Sequence, residues 1–201
     1  MPTVRRLTAA LAVLVPVTAL SAPAASAVPA PVPAAASVPV SAPLDQLVGA
    51  VVERLQTGDT VAAAKWPTLG PIEDPAREQV VLDAASAGAT ARGLDPARAV
   101  AVFSDQIAAS KTVQYGLFSD WTANPAHAPT TTPGLSQIRP ILDRITGELL
   151  DGLAETKPLR TASGCGLAVR LSAEKAALRA HFDQLHRTAL SRAVSSLCEH
   201  S

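Results

Sequence analysis

Apolar side chains recur at steps of three and four along most of the chain after residue 43, which is the period of one face of an α-helix. The first such stretch covers residues 44–55, and the pair Gly58-Asp59 predicts its end. A short helix is expected next, over residues 60–66, because Pro67 then breaks the pattern. The spacing therefore predicts two helices before residue 70.

Two start signals of the same kind follow. Asp74-Pro75 and Asp95-Pro96 each combine a side chain that can cap a helix with a proline at the first helical position. The first of these helices should run to about Arg92, where Gly93 closes it. The second should be the longest helix of the chain and end near Trp121.

The second half of the sequence alternates loops with helices. Residues 124–134 hold three prolines and no periodic pattern, so they predict a loop. A helix is expected over residues 135–153, followed by a second loop through Pro158 and Gly164. Residues 167–197 contain neither glycine nor proline and are helical by propensity.

The first 27 residues have the pattern of a secretory signal peptide. Arg5 and Arg6 precede an almost wholly apolar stretch, residues 7–20, and Ala25-Ser26-Ala27 offers the small residues after which a signal peptidase cuts. A retained membrane anchor is the alternative, but the apolar stretch is shorter than the roughly 20 residues that cross a bilayer and contains Pro16. We therefore expect a secreted or periplasmic protein that has no membrane partner after signal cleavage.

Residues 28–43 are rich in proline and alanine and carry no charge, which predicts an extended, mobile tail. Residues 44–201 then form one domain, long enough to bury a hydrophobic core. Without Arg5 and Arg6 the chain has 15 Lys and Arg against 17 Asp and Glu. This near-neutral balance gives no electrostatic reason to expect a nucleic acid or an anionic membrane as a partner.

The two cysteines constrain the end of the chain. An exported protein meets an oxidising environment, so Cys165 and Cys198 are expected to form one disulfide. A continuous helix over residues 167–197 would hold its ends about 45 Å apart, whereas the Cα atoms of bonded cysteines lie about 5.5 Å apart. The chain must therefore reverse, and the reversal is predicted near residues 181–183, with Asp183 capping a last helix.

Strand signals are weak, since only 3% of residues are aromatic and no alternating pattern persists beyond a few positions. The sequence therefore predicts an all-α, single-domain bundle of about six helices with one disulfide in its C-terminal half.

Motifs for nucleotide, zinc or nucleophilic chemistry are absent from the sequence. It has no glycine-rich phosphate loop, no H-E-x-x-H, no paired C-x-x-C and no nucleophile elbow. His127, His181, His186 and His200 lack any metal-ligand spacing and are interpreted as surface residues. We expect no metal and no cofactor, so any catalysis has to come from Arg, Lys, Gln and carboxylates.

Two polar side chains interrupt the apolar face of the longest predicted helix. Ser110 and Gln114 share that face with Phe103, Ile107 and Trp121. One interpretation is a buried pair that bonds to neighbouring helices, since buried polar groups need partners. The other is a pair of site residues directed into a cavity.

Three cations lie beside apolar stretches. Arg54 flanks the core face of the first predicted helix, Lys65 ends an alanine-rich run, and Arg77 lies in the first turn after Asp74-Pro75. A cation in a first turn opposes the helix dipole, which is unfavourable unless an anion lies nearby. The alternative is a solvated surface arginine at modest cost.

Several segments, taken in order, resemble a known family. They are E-R-L at 53–55, A-K-W at 64–66, P-I-E-D-P-A-R-E at 71–78, D-Q-I-A-A-S-K-T-V-Q-Y at 105–115 and F-S-D-W at 118–121. The sequence is similar to the all-helical chorismate mutases, and most similar to their secreted subclass, which carries a signal peptide, a longer C-terminal half and a disulfide there. The resemblance covers nearly all of residues 44–201 and implies a type II chorismate mutase fold, chorismate as the substrate and a homodimer.

The resemblance also implies three catalytic residues. Arg54 matches an arginine that holds a substrate carboxylate, and Lys65 matches a lysine that reaches a carboxylate and the ether oxygen. Gln114 matches the second donor to that oxygen. Because the rearrangement of chorismate to prephenate is unimolecular, it needs a folded substrate conformer and donors where negative charge develops, and no nucleophile or redox partner.

Four further residues match positions that bind the substrate. Arg77 corresponds to a second arginine on a carboxylate, and arginine forks pair bidentately with such groups. Asp74, Ser110 and Glu78 match positions that line the site, and Glu78 is suited to the ring hydroxyl.

One position departs from the family pattern. The secreted subclass supplies a further arginine from the helix after the long loop, and Glu148 matches that position in the resemblance. Arg139 and Arg144 on the same predicted helix are candidates to replace it. The alternative to an enzyme is a non-enzymatic exported helical protein that binds a small anionic ligand or a protein partner, and Glu148 is the residue that favours it.

Overall fold

A computed structural model describes residues 42–131 and 134–199 of the chain. Within these ranges there are seven α-helices and no strand, so the all-α prediction is confirmed. The helices are α1 (Ala42–Lys65), α2 (Pro75–Ala91), α3 (Pro96–Ala123), α4 (Leu135–Glu155), α5 (Lys157–Arg160), α6 (Cys165–Arg179) and α7 (Gln184–Ala193). The predicted signal peptide and residues 28–41 of the predicted tail lie outside the described residues.

Three helices begin at the capping residues that the sequence predicts. The carboxylate of Asp74 accepts a hydrogen bond from the backbone N–H of Arg77 at 3.0 Å, and Asp95 accepts one from Ala97 at 2.9 Å. Asp183 caps α7 in the same way, through the N–H of His186 at 2.9 Å. These bonds satisfy backbone donors that the first turn of a helix leaves free.

The predicted break at Gly58-Asp59 is wrong, because α1 runs through both residues without interruption. Gly58 is buried where α1 meets Val113 of α3, and the side chain of Asp59 accepts a hydrogen bond from His186 of α7. A glycine inside a helix costs about 1 kcal/mol relative to alanine, and packing on two neighbouring helices outweighs that local preference. α1 also begins two residues before the predicted start of the domain, at Ala42.

α1 and α3 lie at the centre of the bundle. α1 packs against α3, α4 and α6, whereas α3 also packs against α2 and α7. Gly152 of α4 faces Leu47 of α1, where an added Cβ would lie 3.1 Å from the Cβ of Leu47, so the glycine permits the close approach of these two helices. None of the helices in the described ranges combines the length and apolarity that a membrane span requires.

The C-terminal half folds back as the cysteines require. The chain reverses between α6 and α7 at His181, whose φ of 53° lies in the left-handed region, and the disulfide between Cys165 and Cys198 is formed with a Cα–Cα distance of 5.9 Å. The short helix α5 occupies part of the region predicted as a loop. Arg160 of α5 is buried and donates to Glu199 at 2.6 Å, which ties α5 to the end of the described chain.

His186 is not the surface residue that the sequence analysis expects. Its side chain is only 13% exposed, and its two ring nitrogens lie 2.7 Å from Asp183 and 2.9 Å from Asp59. The two carboxylates, led by Asp59, raise the pKa of His186 to about 9 against the opposing effect of burial. His186 therefore carries a positive charge at neutral pH and links α7 to α1.

Candidate active site

Four helices contribute one face each to a cavity of about 360 Å³. Its wall combines charged groups with aliphatic side chains such as Ile107, Ile138 and Leu142, which is the usual composition of a small-molecule site. All seven residues predicted for the site lie in this wall, namely Arg54, Lys65, Asp74, Arg77, Glu78, Ser110 and Gln114.

α1 supplies Arg54, Thr57, Val61 and Lys65 to the cavity. These residues follow one another at steps of three and four, so they share one face of the helix. Arg54 and Lys65 are then about 16 Å apart along the axis, at the standard rise per residue. Both cations can line one cavity only because α1 continues through the position of the predicted break.

Arg54 is a buried cation without a complete set of partners. Its side chain lies over the ring of Phe103, 5.6 Å from the centroid, and the residue is 8% exposed. Among the described residues no acceptor reaches its Nη1 atom. Burial, and then repulsion from Arg77, lower the pKa of Arg54 to about 10. Arg54 is still protonated at neutral pH. An anion in the cavity would supply the missing hydrogen-bond acceptor and a negative charge.

Lys65 lies at the end of α1 and is half-buried. Its Nζ donates to the backbone carbonyl of Ile72 at 3.1 Å. Burial lowers the pKa of Lys65, and the carboxylates of Asp74, Glu78 and Glu73 oppose that shift. One of the three ammonium donors is thus held by the backbone, which orients the group at the cavity wall.

The aromatic residues next to Lys65 fix the end of α1. The ring of Trp66 lies edge-on to those of Phe118 and Trp121, with centroid distances of 5.2 and 5.3 Å. Trp121 is buried and belongs to the core face of α3. This cluster joins the start of the segment after α1 to the C-terminal end of α3.

The side chains of Gln114 and Ser110 make no hydrogen bond to a neighbouring helix among the described residues, so the first interpretation of this polar pair is not borne out. They bond to each other, since Gln114 Nε2 donates to Ser110 Oγ at 3.1 Å, and they also line the cavity. Gln114 is 4% exposed, and within the described part of the chain its Oε1 atom has no hydrogen-bond partner. A carboxamide has two N–H donors, so the bond to Ser110 does not exhaust them.

The start of α2 contributes residues of both charges. Arg77 lies in the first turn and lines the cavity, as do Asp74 and Glu78. Glu78 is paired across to α3, because Lys111 Nζ donates to both of its carboxylate oxygens at 3.1 Å. Lys111 is a cavity residue that the sequence analysis missed, since nothing in its local spacing distinguishes it from a surface lysine.

α4 carries both candidates for the third arginine, Arg139 and Arg144. Arg139 lines the cavity, whereas Arg144 and Glu148 are not part of its wall. Glu148 accepts a hydrogen bond from Arg144 Nη1 at 2.7 Å, and Arg144 also pairs with Glu53. Nine residues separate Arg139 from Glu148, which places them on about opposite sides of the helix. The helical period relative to Ile138 and Leu142 would have identified Arg139.

No group of three His, Cys, Asp or Glu side chains in residues 42–131 and 134–199 is arranged to hold a metal ion. The cavity wall offers fixed hydrogen-bond donors and charged groups. Apart from Lys111, which is paired with Glu78, four cations face the same space as the amide of Gln114, namely Arg54, Lys65, Arg77 and Arg139. Such a set is suited to a small dianion.

Comparisons with known proteins point to one family. The family model for chorismate mutase type II matches residues 45–115, a range that contains all seven predicted site residues. The secreted chorismate mutase of Mycolicibacterium smegmatis is 36% identical over 158 residues, 79% of this chain and 87% of that protein. The secreted chorismate mutase of Mycobacterium tuberculosis is 35% identical over 78% of each chain.

Solved structures give the same answer for the fold. The crystal structure of a chorismate mutase from Burkholderia phymatum superposes with a TM-score of 0.75 at 38% sequence identity, over 80% of this chain and all of that one. With relatives of this identity and coverage, and with the predicted residues gathered around one cavity, the chain belongs to the type II chorismate mutase family.

Proposed function

We propose that this protein rearranges chorismate to prephenate in the cavity between α1, α2, α3 and α4. Membership of the family supports the reaction. The buried, incompletely paired guanidinium of Arg54 is the observation that carries its assignment to this cavity. Chorismate is a small molecule with two carboxylates, and a buried arginine is a strong partner for such a group.

Arg54 and Arg77 hold the two carboxylates and so keep the substrate in its folded conformer. This restriction lowers the entropic part of the reaction barrier, because the substrate has already lost its conformational freedom on binding. The repulsion between the two guanidinium groups, which contributes to the lowered pKa of Arg54, is relieved when an anion lies between them.

Lys65 and Gln114 donate to the ether oxygen of the breaking C–O bond. Negative charge grows on this oxygen in the transition state, and donors that are already oriented there lower the barrier. The bond from Lys65 to Ile72 and the bond from Gln114 to Ser110 keep both donors oriented before the substrate arrives.

The remaining predicted residues complete the site. Glu78 accepts from Lys111 and has lone pairs left for the ring hydroxyl of chorismate. Ser110 supports the amide of Gln114, and Asp74 caps α2 and thereby places Arg77 in its first turn. These roles rest on position in the cavity wall and on the chemistry of each group.

The activity assay that tests the proposal follows the loss of chorismate absorbance on addition of purified protein. The Lys65→Ala variant should lower kcat about 100- to 1,000-fold, the usual effect of removing one transition-state donor. Its helix content by circular dichroism should stay unchanged. If clean protein at micromolar concentration leaves chorismate at its uncatalysed rate, the proposed function is wrong.

Arg139 takes the place of the third arginine that the sequence analysis assigned to the position of Glu148. Arg139→Ala should raise KM for chorismate at least tenfold, because a charge-assisted bond contributes about 1.5 to 3 kcal/mol. Arg144→Ala is the matched control on the same helix, since that side chain pairs with Glu53 and Glu148 away from the cavity. Equal effects of the two substitutions would contradict the assignment.

The predicted alternative, a non-enzymatic exported protein, is not favoured by the family membership.

We also propose export, with cleavage after Ala27, and a homodimer. Two relatives are named secreted chorismate mutases, which supports export. N-terminal sequencing of the exported protein tests the cleavage, and sedimentation equilibrium tests the dimer.

A further inference from the structure

Residues 67–74 connect α1 to α2 and pass beside the cavity; we refer to them as the connecting segment. The segment makes three hydrogen bonds with Lys65, one of them from the hydroxyl of Thr68 to the Lys65 carbonyl at 3.3 Å. The backbone N–H of Gly70 donates to the carbonyl of Lys65 at 3.0 Å, and the ammonium of Lys65 donates to the carbonyl of Ile72 at 3.1 Å. The position of the Lys65 ammonium therefore depends on where the backbone at Ile72 lies.

Glu73, the residue after Ile72, holds the connecting segment to α3. Its carboxylate accepts from Lys111 Nζ at 2.7 Å and from Tyr115 Oη at 3.0 Å. Lys111 and Tyr115 are four residues apart and so lie on the same face of α3. These donors, Lys111 first, hold the pKa of the Glu73 carboxyl below its usual range, so the contact persists at neutral pH.

An exposed ion pair of this kind contributes little to stability. Its consequence here is geometric, because two donors from one helix fix a carboxylate that lies one residue from the carbonyl bonded to Lys65. Lys111 also donates to Glu78, so it forms ion pairs with the carboxylates of both Glu73 and Glu78. Lys111 is therefore committed to holding the segment and Glu78 rather than to binding an anion.

We propose that Glu73 is a positioning residue for Lys65: its contacts with Lys111 and Tyr115 fix the carbonyl of Ile72, which orients the ammonium toward the reacting bond. This inference rests on the proposed function of the cavity. Loss of the contacts frees the connecting segment, and the ammonium of Lys65 then spends less time in its productive position. Small misplacements of a catalytic group are known to cost up to about 100-fold in rate.

The test uses Glu73→Ala in the wild-type and in the Lys65→Ala background. In the wild-type background kcat should fall about tenfold with KM changed less than threefold, because a donor acts on the transition state and binding is supplied by the arginines. Tyr115→Phe should give a smaller loss of kcat, because Lys111 still holds Glu73. In the Lys65→Ala background Glu73→Ala should have no further effect on kcat/KM.

Glu174→Ala is the matched control, since Glu174 is also an exposed carboxylate in an ion pair, with Arg187, and lies away from the cavity. It should leave kcat and KM unchanged. An equal loss from Glu73→Ala in both backgrounds, or no loss in the wild type, would overturn the inference.

A second measurement does not depend on activity. Amide hydrogen exchange of residues 67–74 should accelerate in Glu73→Ala and stay unchanged in Glu174→Ala, while the melting temperature of each stays near that of the wild type. Unchanged exchange in Glu73→Ala would refute the proposed contact. If the wild type itself does not act on chorismate, the proposed function fails, and the exchange experiment still reports on the segment.

Discussion

Arg54 and Arg160 are both buried arginines, but their surroundings differ. Arg160 donates to Glu199 at 2.6 Å, so its charge is compensated inside the fold. Each arginine has one buried nitrogen without a hydrogen-bond partner among the residues the structure describes, but Arg54 lies over Phe103 and has only the more distant carboxylate of Asp143 to offset its charge. A buried charge without a close partner lowers the stability of a protein. Removing one member of a buried ion pair also lowers it, because the other member is left without its partner. This difference favours the proposed binding role of Arg54 over a role in folding.

This difference predicts opposite effects of the same substitution. Arg54→Met should leave the melting temperature unchanged or raise it, and should lower kcat/KM for chorismate at least 100-fold. Arg160→Met, the control, should lower the melting temperature, because Glu199 loses its nearer partner and keeps only Arg98, at 3.9 Å. Thermal unfolding followed by circular dichroism measures both. A clear fall in melting temperature for Arg54→Met would show that Arg54 supports the fold.

The cavity residues of α1 reach one cavity only because the helix is continuous. Packing against neighbouring helices provides that continuity. Gly58 lies in the middle of α1, and a Cβ added there would meet Val113 and Ser110 at 3.5 Å, which is ordinary contact. Gly152 of α4 is different, since an added Cβ would lie 3.1 Å from the Cβ and 3.3 Å from the Cα of Leu47. The two helix glycines thus meet different amounts of free space.

Gly58→Ala should stabilise the protein, because alanine favours a helix by up to about 1 kcal/mol over glycine and the site has room for it. The melting temperature should rise by about 2 to 4 °C. Gly152→Ala is the contrasting variant and should lower it, because the backbone at Leu47 has to move. Stabilisation by both, or by neither, would contradict this account of packing.

The link between α1 and α7 is sensitive to pH. His186 faces the carboxylates of Asp59 and Asp183, and its pKa is raised to about 9 from an ordinary value of 6.5. A raised pKa in the folded state stabilises the fold fully below the unfolded value, and this stabilisation is lost as pH rises through the folded value. The link should therefore weaken between about pH 6.5 and 9.

A His186→Gln variant tests this link. Its melting temperature should lie below that of the wild type at pH 6.5, and the difference between the two proteins should shrink by pH 10, where His186 is neutral. Comparison at each pH cancels the titration of other groups. A difference that stays constant over this range would show that the charge of His186 does not contribute.

At the scale of the whole molecule, the cavity and the disulfide belong to different parts of the bundle. The cavity is lined from α1 to α4, whereas the disulfide joins the start of α6 to a residue after α7. The bonded cysteines are 33 residues apart, and closing a loop of that size stabilises a fold by about 3 to 4 kcal/mol through the entropy of the unfolded chain. The C-terminal helices thus stabilise the site without lining it.

Removal of the disulfide in a Cys165→Ala, Cys198→Ala double variant should lower the melting temperature by roughly 10 °C. At 25 °C kcat/KM should stay within twofold of the wild type, because every residue proposed for the site lies in the first four helices or the segment before α2. A large loss of kcat/KM well below the melting temperature would show that α6 and α7 shape the cavity.

Local features of the sequence determined most of the helices and the candidate site. The caps at Asp74, Asp95 and Asp183 were predictable because a capping bond joins residues only two or three positions apart. The need for a chain reversal followed from the distance that a disulfide allows, and its position followed from Asp183 as a capping residue. The seven predicted site residues lie in recognisable segments, and their presence in one cavity agrees with the family resemblance.

Only the tertiary structure decided the features that depend on contacts between distant residues. The continuity of α1 at Gly58 depends on α3, and the charge of His186 depends on Asp59. The presence of Arg139 rather than Arg144 in the cavity wall depends on how α4 is rotated against the cavity. The contact of Glu73 with Lys111 joins residues 38 positions apart. No local pattern encodes such pairs, because their free energy arises only after the helices have packed.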